Sequence, residues 1–291
     1  MSLVAEELWH GMRAQVHRSA ALELVILPDR GGKIASIRDR SGREWLEQPA
    51  VPLRPLDKLP TRFVDGDMCG WDECAPTIAP CDVSGVQLPD HGELWRTPWF
   101  DSGEGWLTVH GPSWGYTFSR RISVSGHVAK LEYQVTAGGE AFPLLWAAHP
   151  QFRAGPGTRV DLGGQSPQLL DVLAIPPAWN QYADELCGID SVPAGGCRKF
   201  YLDPDSLRGP VTLRHTDDSV LTMECSDNVP YLGVWFDRKA FALHDVIALE
   251  PSTGFYDECN AAVRRGQVAT LAASEHVQWW VTVSIGQGGT R

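Results

Sequence analysis

Apolar and polar side chains alternate residue by residue along three long segments, and this alternation constrains the fold more than any other feature. The segments cover residues 116–124, 127–136 and 277–285. A strand places successive side chains on opposite faces, so a period of two is typical of half-buried antiparallel strands. Ser125-Gly126 predicts a tight hairpin turn between the first two segments, and a second hairpin is predicted between Lys33 and Leu46.

Signals for helices are weak, because 29 glycines and 21 prolines interrupt the chain repeatedly. Residues 48–80 and 155–210 look irregular, and loops of that length in a compact β protein are usually functional. The 291 residues show no change in composition that would mark a boundary. We therefore predict an all-β fold, a large antiparallel sandwich, as a single domain over residues 1–291.

The charge distribution excludes two classes of partner. The net charge is −11 and no run of basic residues occurs, which argues against nucleic acid and against anionic membrane surfaces. No segment approaches the roughly 20 consecutive apolar residues of a membrane span. Residues 1–11 lack the apolar stretch of a signal peptide, so we expect a cytoplasmic protein.

The seven cysteines are odd in number and irregularly spaced, and no Cys-x-x-Cys pair occurs. Cys69, Cys74 and Cys81 cluster, which leaves a metal or a disulfide there as an alternative. Reduced, mostly buried thiols are the expected state in a cytoplasmic protein, and we predict no metal site.

Three short segments each carry one side chain suited to proton transfer at the border of an apolar run. They contain His91, His149 and Glu250. Histidine and glutamate can both be tuned towards neutral pH, so a fold that brings them together would form a general acid–base site.

Tryptophan is unusually frequent, with 12 residues against 9 phenylalanines. An indole offers a flat apolar face and one donor, which suits the apolar faces and hydroxyl rims of sugars. Trp71 and Trp95 flank the polar segments and are the predicted pocket walls. The sequence Gly-Pro-Ser-Trp-Gly at 111–115 fits the nucleophile motif of serine hydrolases, but a strand follows it at once, so we interpret it as a hairpin loop.

Five motifs, taken in order, resemble those of the galactose mutarotase-like superfamily, close to the aldose 1-epimerases. An early hairpin contains Gly31-Gly32, and the segment 70–76 resembles the loop that lines the sugar pocket. His91-Gly92 is similar to the first histidine motif, His149-Pro150-x-Phe152 to the second, and Glu250-Pro251 to the glutamate motif. The order matches along nearly the whole chain.

The resemblance implies a β supersandwich and a site in which the three residues converge. Glu250 would be the base on the anomeric hydroxyl, His149 would protonate the ring oxygen, and His91 would contact the sugar. Opening a hemiacetal needs only these proton transfers, so neither a metal nor an organic cofactor is expected.

Some positions depart from the family pattern. Met68 or Cys69 stands where the sugar-phosphate branch has an arginine, and Arg198 stands where an acidic residue is usual. We expect Asp72 and Glu73 to replace lost polar contacts, and Arg96 to help bind the substrate. An anionic sugar could instead be recognised by a set of cations: Arg62, Arg96, Arg198 and Lys199.

Two other functions stay open. The protein could be a non-catalytic carbohydrate-binding or sensing module, or a glycosidase that pairs Glu250 with Asp72 or Glu73 as its two carboxylates. The partner is a small-molecule sugar in each case. The sequence does not identify the sugar, and it leaves a homodimer open.

Overall fold

Two large antiparallel sheets contain most of the strands in a computed structural model, which describes residues 3–205 and 209–288. The first strands are β1 Leu3–Trp9, β2 Met12–Arg18, β3 Leu22–Leu27, β4 Lys33–Asp39, β5 Trp71–Cys74, β6 Cys81–Val83, β7 Val86–Leu88, β8 Phe100–Gly103, β9 Trp106–Gly111, β10 Tyr116–Ser125, β11 Val128–Thr136 and β12 Phe142–Pro143. The remaining strands are β13 Ala147–Pro150, β14 Phe152–Arg153, β15 Arg159–Asp161, β16 Leu169–Asp171, β17 Ala178–Asn180, β18 Cys197–Leu202, β19 Val211–Arg214, β20 Ser219–Cys225, β21 Tyr231–Arg238, β22 Asp245–Ser252, β23 Thr270–Leu271 and β24 His276–Gln287.

Helices are short in the described ranges. The α-helix α1 covers Cys259–Arg265. Single 3-10 turns occur at Pro28–Arg30, Leu56–Lys58, Phe63–Asp65, Leu94–Arg96, Asp184–Cys187 and Ile189–Ser191. No helix in these ranges combines the length and the apolar character that crossing a bilayer requires. No disulfide joins any of the seven cysteines in the described ranges.

The alternating segments form the smaller of the two sheets, in the order β15-β19-β20-β24-β11-β10-β9-β8. Its centre is the β10–β11 hairpin, in which Val124 lies opposite Ala129, and β24 pairs along β11 from Val128 to Thr136. The turn falls at Gly126-His127, one residue later than predicted. Residues 112–115 form the hairpin loop between β9 and β10, as predicted, and Gly111 is the last residue of β9. The all-β, antiparallel prediction is thus confirmed.

The larger sheet has the order β1-β2-β3-β4-β5-β13-β22-β21-β18-β16-β17, with β14 paired beside β22. The predicted hairpin after Lys33 is present, although its second arm makes only a bridge between Arg38 and Glu44. The two stretches expected to be irregular contribute β5 and β15 to β18. The larger sheet therefore draws its centre partly from residues that carry no alternating pattern.

A buried ion pair joins the two sheets in the interior of the sandwich. Glu73 on β5 accepts hydrogen bonds from Arg120 Nη1 at 2.7 Å, from the Tyr133 hydroxyl at 3.0 Å and from Trp146 Nε1 at 2.9 Å. Arg120 also donates to the Gly32 carbonyl. Glu73 was expected to replace lost polar contacts to a substrate, but its side chain points into the core, where it is 0% exposed and bound by Arg120.

We expect Arg120→Gln to lower the free energy of unfolding by about 3–5 kcal/mol, because it leaves the Glu73 carboxylate buried without its cation. The neighbouring Arg121 is a matched control, since it pairs with Glu132 at the surface. Arg121→Gln should cost less than about 1 kcal/mol. Urea unfolding followed by circular dichroism measures both; equal losses would show that the buried pair has no special role.

Candidate active site

Four adjacent strands of the larger sheet, β13, β22, β21 and β18, present the candidate site on the face that points away from the smaller sheet. Gly233 on β21 lies opposite Glu250 on β22, and Trp235 lies opposite Lys199 on β18. His149 comes from β13, which pairs with β22 on one side and β5 on the other. Because side chains alternate along each strand, every second residue reaches this outer face while its neighbours fill the core.

Glu250 and His149 face each other without a hydrogen bond. Glu250 Oε1 lies 3.7 Å from His149 Nε2, and the two side chains are 1% and 6% exposed. Burial raises the pKa of Glu250, although Lys199 opposes that rise, and burial lowers the pKa of His149 well below its usual value. Glu250 Oε1 has no hydrogen-bond partner within the described part of the chain. The pair is thus an unengaged acceptor and a neutral imidazole, separated by more than a hydrogen-bond length.

The second oxygen of Glu250 is held by a lysine. Lys199 Nζ donates to Glu250 Oε2 at 2.6 Å and forms an ion pair with Asp257 Oδ1 at 2.7 Å. The Tyr201 hydroxyl donates to the same Asp257 oxygen at 2.9 Å. Burial disfavours the ammonium, but the two carboxylates outweigh it and raise the pKa of Lys199.

His91 enters from a loop rather than from the sheet. Its Nδ1 lies 2.9 Å from Asp90 Oδ1, while Asp90 Oδ2 accepts the Phe63 backbone N–H at 2.7 Å. Burial alone would raise the pKa of Asp90, but these hydrogen bonds hold it below its ordinary value. An ionised Asp90 can only accept, so Nδ1 carries the proton and Nε2 remains for a ligand. The ring also stacks on Phe63, with centroids 4.1 Å apart.

A glycine allows this loop to approach the sheet. Gly92 has φ +71°, and a Cβ there would lie 2.0 Å from the Ala75 carbonyl oxygen. The left-handed conformation and the close contact both exclude a larger residue. Gly92 therefore fixes where His91 stands over the strands.

These groups border a cavity of about 230 Å³. Its polar lining includes Asp90, His91, His149, Lys199, Glu250 and Asp257, and the apolar lining includes Val64, Ile78, Leu173, Trp235 and Phe241. A larger cleft of about 710 Å³ near Arg43 and Trp45 is lined by a different set of residues, among which Asp217 forms an ion pair with Arg43. In the described residues, no group of His, Cys, Asp or Glu side chains is arranged to hold a metal ion.

The structure brings His91, His149 and Glu250 to one cavity, but the remaining predicted contact residues lie elsewhere. Trp71 is 0% exposed and belongs to the core between the sheets. Trp95 packs behind the site, where its ring meets Phe63 and its Nε1 donates to the Asp90 carbonyl. Both tryptophans were expected in the cavity wall, and the wall is instead formed by Trp235.

Asp72 and Arg96 also lie outside the cavity lining. Asp72 accepts a hydrogen bond from Lys33 Nζ at 2.5 Å and is 1% exposed. The Arg96 guanidinium lies 5.5 Å from the centre of the Trp95 ring. Asp72 and Glu73 could not both have faced a ligand, because adjacent strand residues point to opposite faces.

Sequence reasoning missed Trp235, Asp257 and Asp90, and it considered Lys199 only as a contact for an anionic sugar. The alternation of Lys199, Phe200 and Tyr201 carried a usable signal, since it places Lys199 and Tyr201 on one face of a strand. Asp257 lies in a loop after β22, and no local pattern connects it with Lys199. Asp90 directly precedes His91 in the sequence, and this adjacency could have predicted an aspartate–histidine contact.

The fold resembles several solved structures at low sequence identity. A galactose mutarotase related enzyme from Lactobacillus acidophilus aligns with a TM-score of 0.70 and 12% identity, covering 100% of this chain and 99% of that one. A galactose mutarotase-like protein from Clostridium acetobutylicum gives 0.70 and 15%, covering 98% and 99%. A candidate aldose 1-epimerase from Klebsiella pneumoniae gives 0.74 and 13%, covering 98% and 83%. No protein-family model and no curated protein sequence matches the chain.

The chain therefore has the galactose mutarotase-like fold, as the sequence motifs indicated. Identities of 12% to 15% establish the architecture alone. The chemistry depends on the residues of this cavity.

We expect the His149 ring to stay neutral below the ordinary histidine pKa of about 6.5, because burial and then the nearby His91 and Lys199 disfavour the imidazolium. Nitrogen-15 NMR of the histidine rings, with His149→Gln for assignment, reports the charge directly. A ring that titrates at the ordinary value would contradict the buried geometry.

Proposed function

We propose that the protein is an aldose 1-epimerase, or mutarotase, that interconverts the α and β anomers of an aldose. The observation that carries the proposal is the pairing of Glu250 Oε1 with His149 Nε2 across 3.7 Å at the border of a small cavity. A hydroxyl and a ring oxygen placed between the two groups would meet one proton acceptor and one proton donor. The names of the structural neighbours point the same way.

In the proposed reaction Glu250 takes the proton from the anomeric O1 while His149, as the imidazolium, gives one to the ring oxygen O5. The C1–O5 bond breaks and the aldehyde forms, which leaves Glu250 protonated and His149 neutral. Rotation about C1–C2 and reversal of both transfers close the ring on the other face. Burial favours the neutral forms of both residues, so it stabilises the open-chain stage of the cycle.

The distribution of charge favours an uncharged sugar over a phosphorylated one. Arg62 is 68% exposed and forms an ion pair with Asp65, and Arg198 donates to Ser191. Arg62, Arg96 and Arg198 are all outside the cavity lining. Among the lysines and arginines of the described ranges, Lys199 is the one that lines the cavity, and two carboxylates already bind it.

A glycosidase is a weaker candidate. Such an enzyme needs two carboxylates about 5–10 Å apart across the substrate. Neither Asp72 nor Glu73 lines the cavity, since Lys33 and Arg120 bind them elsewhere. The two aspartates that do line it are already engaged, Asp257 by Lys199 and Asp90 by His91. A non-catalytic sugar-binding protein would use the same cavity, and only a rate measurement separates it from an epimerase.

We predict that Glu250→Gln slows anomer equilibration by about 10²–10⁴-fold, because the amide keeps the shape but cannot accept the proton. Polarimetry of freshly dissolved α-glucose and α-galactose, in a buffer that does not itself catalyse mutarotation, measures the rate. The control is Glu224→Gln, which changes an exposed glutamate on β20 of the other sheet and should leave the rate unaltered.

An unchanged rate in Glu250→Gln would refute Glu250 as the base. If neither the wild type nor the variant accelerates equilibration while sugar still binds, the protein is a binding module. Release of nitrophenol from aryl glycosides would instead support the glycosidase.

We also expect the bound sugar to change the fluorescence of Trp235, which lies at the cavity wall with its ring 5.7 Å from that of His149. Trp235→Phe should remove this change and weaken binding, whereas Trp71→Phe should keep both, because Trp71 lies in the core. A signal that disappears in Trp71→Phe would place the ligand elsewhere.

A further inference from the structure

Lys199 reaches Glu250 across an intervening strand. The two residues lie on β18 and β22, and β21 runs between them. At the crossing point stands Gly233, where a Cβ would lie 3.5 Å from Glu250 Oε2, 3.5 Å from the Lys199 Cε and 3.3 Å from the Tyr201 ring. A side chain longer than alanine would fill the path of the ion pair. The direct contact therefore depends on glycine at 233.

The Lys199 ammonium binds a second carboxylate, that of Asp257, in addition to Glu250. Asp257 binds Lys199 at 2.7 Å and is itself fixed by the Tyr201 hydroxyl. Its side chain is 26% exposed, whereas that of Glu250 is 1% exposed. When Glu250 takes a proton and loses its charge, Asp257 can still neutralise the ammonium. A buried lysine with Glu250 alone would become an unpaired charge at that moment.

We propose that Lys199 is a positioning residue that holds Glu250 as the carboxylate, with Asp257 as the counter-ion that keeps Lys199 charged and in place throughout the cycle. The role assigned to the carboxylate rests on the proposed function. The charge cluster itself can be tested without any activity.

The cluster acts on one shared proton. The reaction begins with the proton on His149, as the imidazolium, and with Glu250 as the carboxylate. Burial favours instead the state in which Glu250 is protonated and His149 is neutral. Lys199 touches Glu250 at 2.6 Å and makes no hydrogen bond to His149, so its field favours the carboxylate more than it disfavours the imidazolium. The other titratable groups near Glu250 are His91 from the loop, Cys74 on β5 and Tyr201 on β18.

The test uses two substitutions with opposite expected effects. The acid limb of the pH–rate profile is expected to report the ionisation of Glu250, the proposed base. Lys199→Met removes the cation, so this limb should move to higher pH by about one to three pH units. Asp257→Asn removes a repelling carboxylate and leaves the whole ammonium to Glu250, so the same limb should move to lower pH. Lys130→Met, at a half-exposed lysine paired with Glu132, is the matched control and should move nothing.

Carbon-13 NMR of labelled glutamate carboxyls follows the ionisation of Glu250 directly, with Glu250→Gln for assignment. The same opposite movements in these titrations would support the cluster even if the protein catalysed no epimerisation, and that result would refute only the proposed function. A Glu250 titration that is identical in wild type and both variants would overturn the inference. So would a faster reaction in Lys199→Met, because it would mean that protonated Glu250 is the active form.

If Lys199→Met fails to fold, Asp257→Asn tests the proposal alone. Asp257 is partly exposed, so its substitution should leave the fold intact. The expected movement of the acid limb to lower pH is also opposite to the movement that a damaged site would cause. Gly233→Val gives an independent check, because its side chain should separate Lys199 from Glu250 and move the acid limb in the direction of Lys199→Met. A movement in the other direction would contradict the proposed path.

Discussion

The carboxylate of Glu73 is the point at which the two sheets are tied together. It lies without solvent contact between them, and the arginine, tyrosine and tryptophan that satisfy it come from β10, β11 and the residue just before β13. A buried charge of this kind contributes little net stability but is costly to misplace. It therefore fixes the height of β5 relative to the smaller sheet. The register of β5 with β13 then sets the position of His149.

Because side chains alternate along a strand, neighbouring residues divide between packing the core and lining the cavity. On β13, Ala148 faces the core and His149 faces the cavity; on β22, Leu249 and Glu250 divide in the same way. A shift of one residue in either register would bury the polar groups between the sheets and expose the apolar ones. The packing of the core thus specifies which atoms can meet in the site.

The sequence was most informative where one face of a strand is apolar and the other polar. The β10–β11 hairpin and β24 follow from that pattern, and so does the all-β class. The same reasoning fails for β5, because its Asp72 and Glu73 are both buried and pair with Lys33 and Arg120 from distant parts of the chain. Burial of a charge depends on partners that no local pattern identifies.

The residues of the candidate site also fall into those that a local pattern identifies and those that it does not. His91, His149 and Glu250 could be selected because each stands in a short motif, and the fold gathers them at one cavity. Lys199 and Asp257 belong to the site through an ion pair between a strand and a loop far apart in sequence. Trp235 was overlooked because a tryptophan inside an apolar strand looks like any core residue, and only the face it occupies distinguishes it.

The order of strands in the larger sheet has a consequence for hydrogen exchange. β13, β22, β21 and β18 are flanked on both sides by other strands, so their amides should exchange only when the molecule unfolds as a whole. Leu173 and Phe241 lie in loops outside the sheets, where local opening is expected to need less free energy than global unfolding. Evolution can therefore alter the mouth of the cavity, and with it the choice of ligand, without loosening the strands that hold Glu250 and His149.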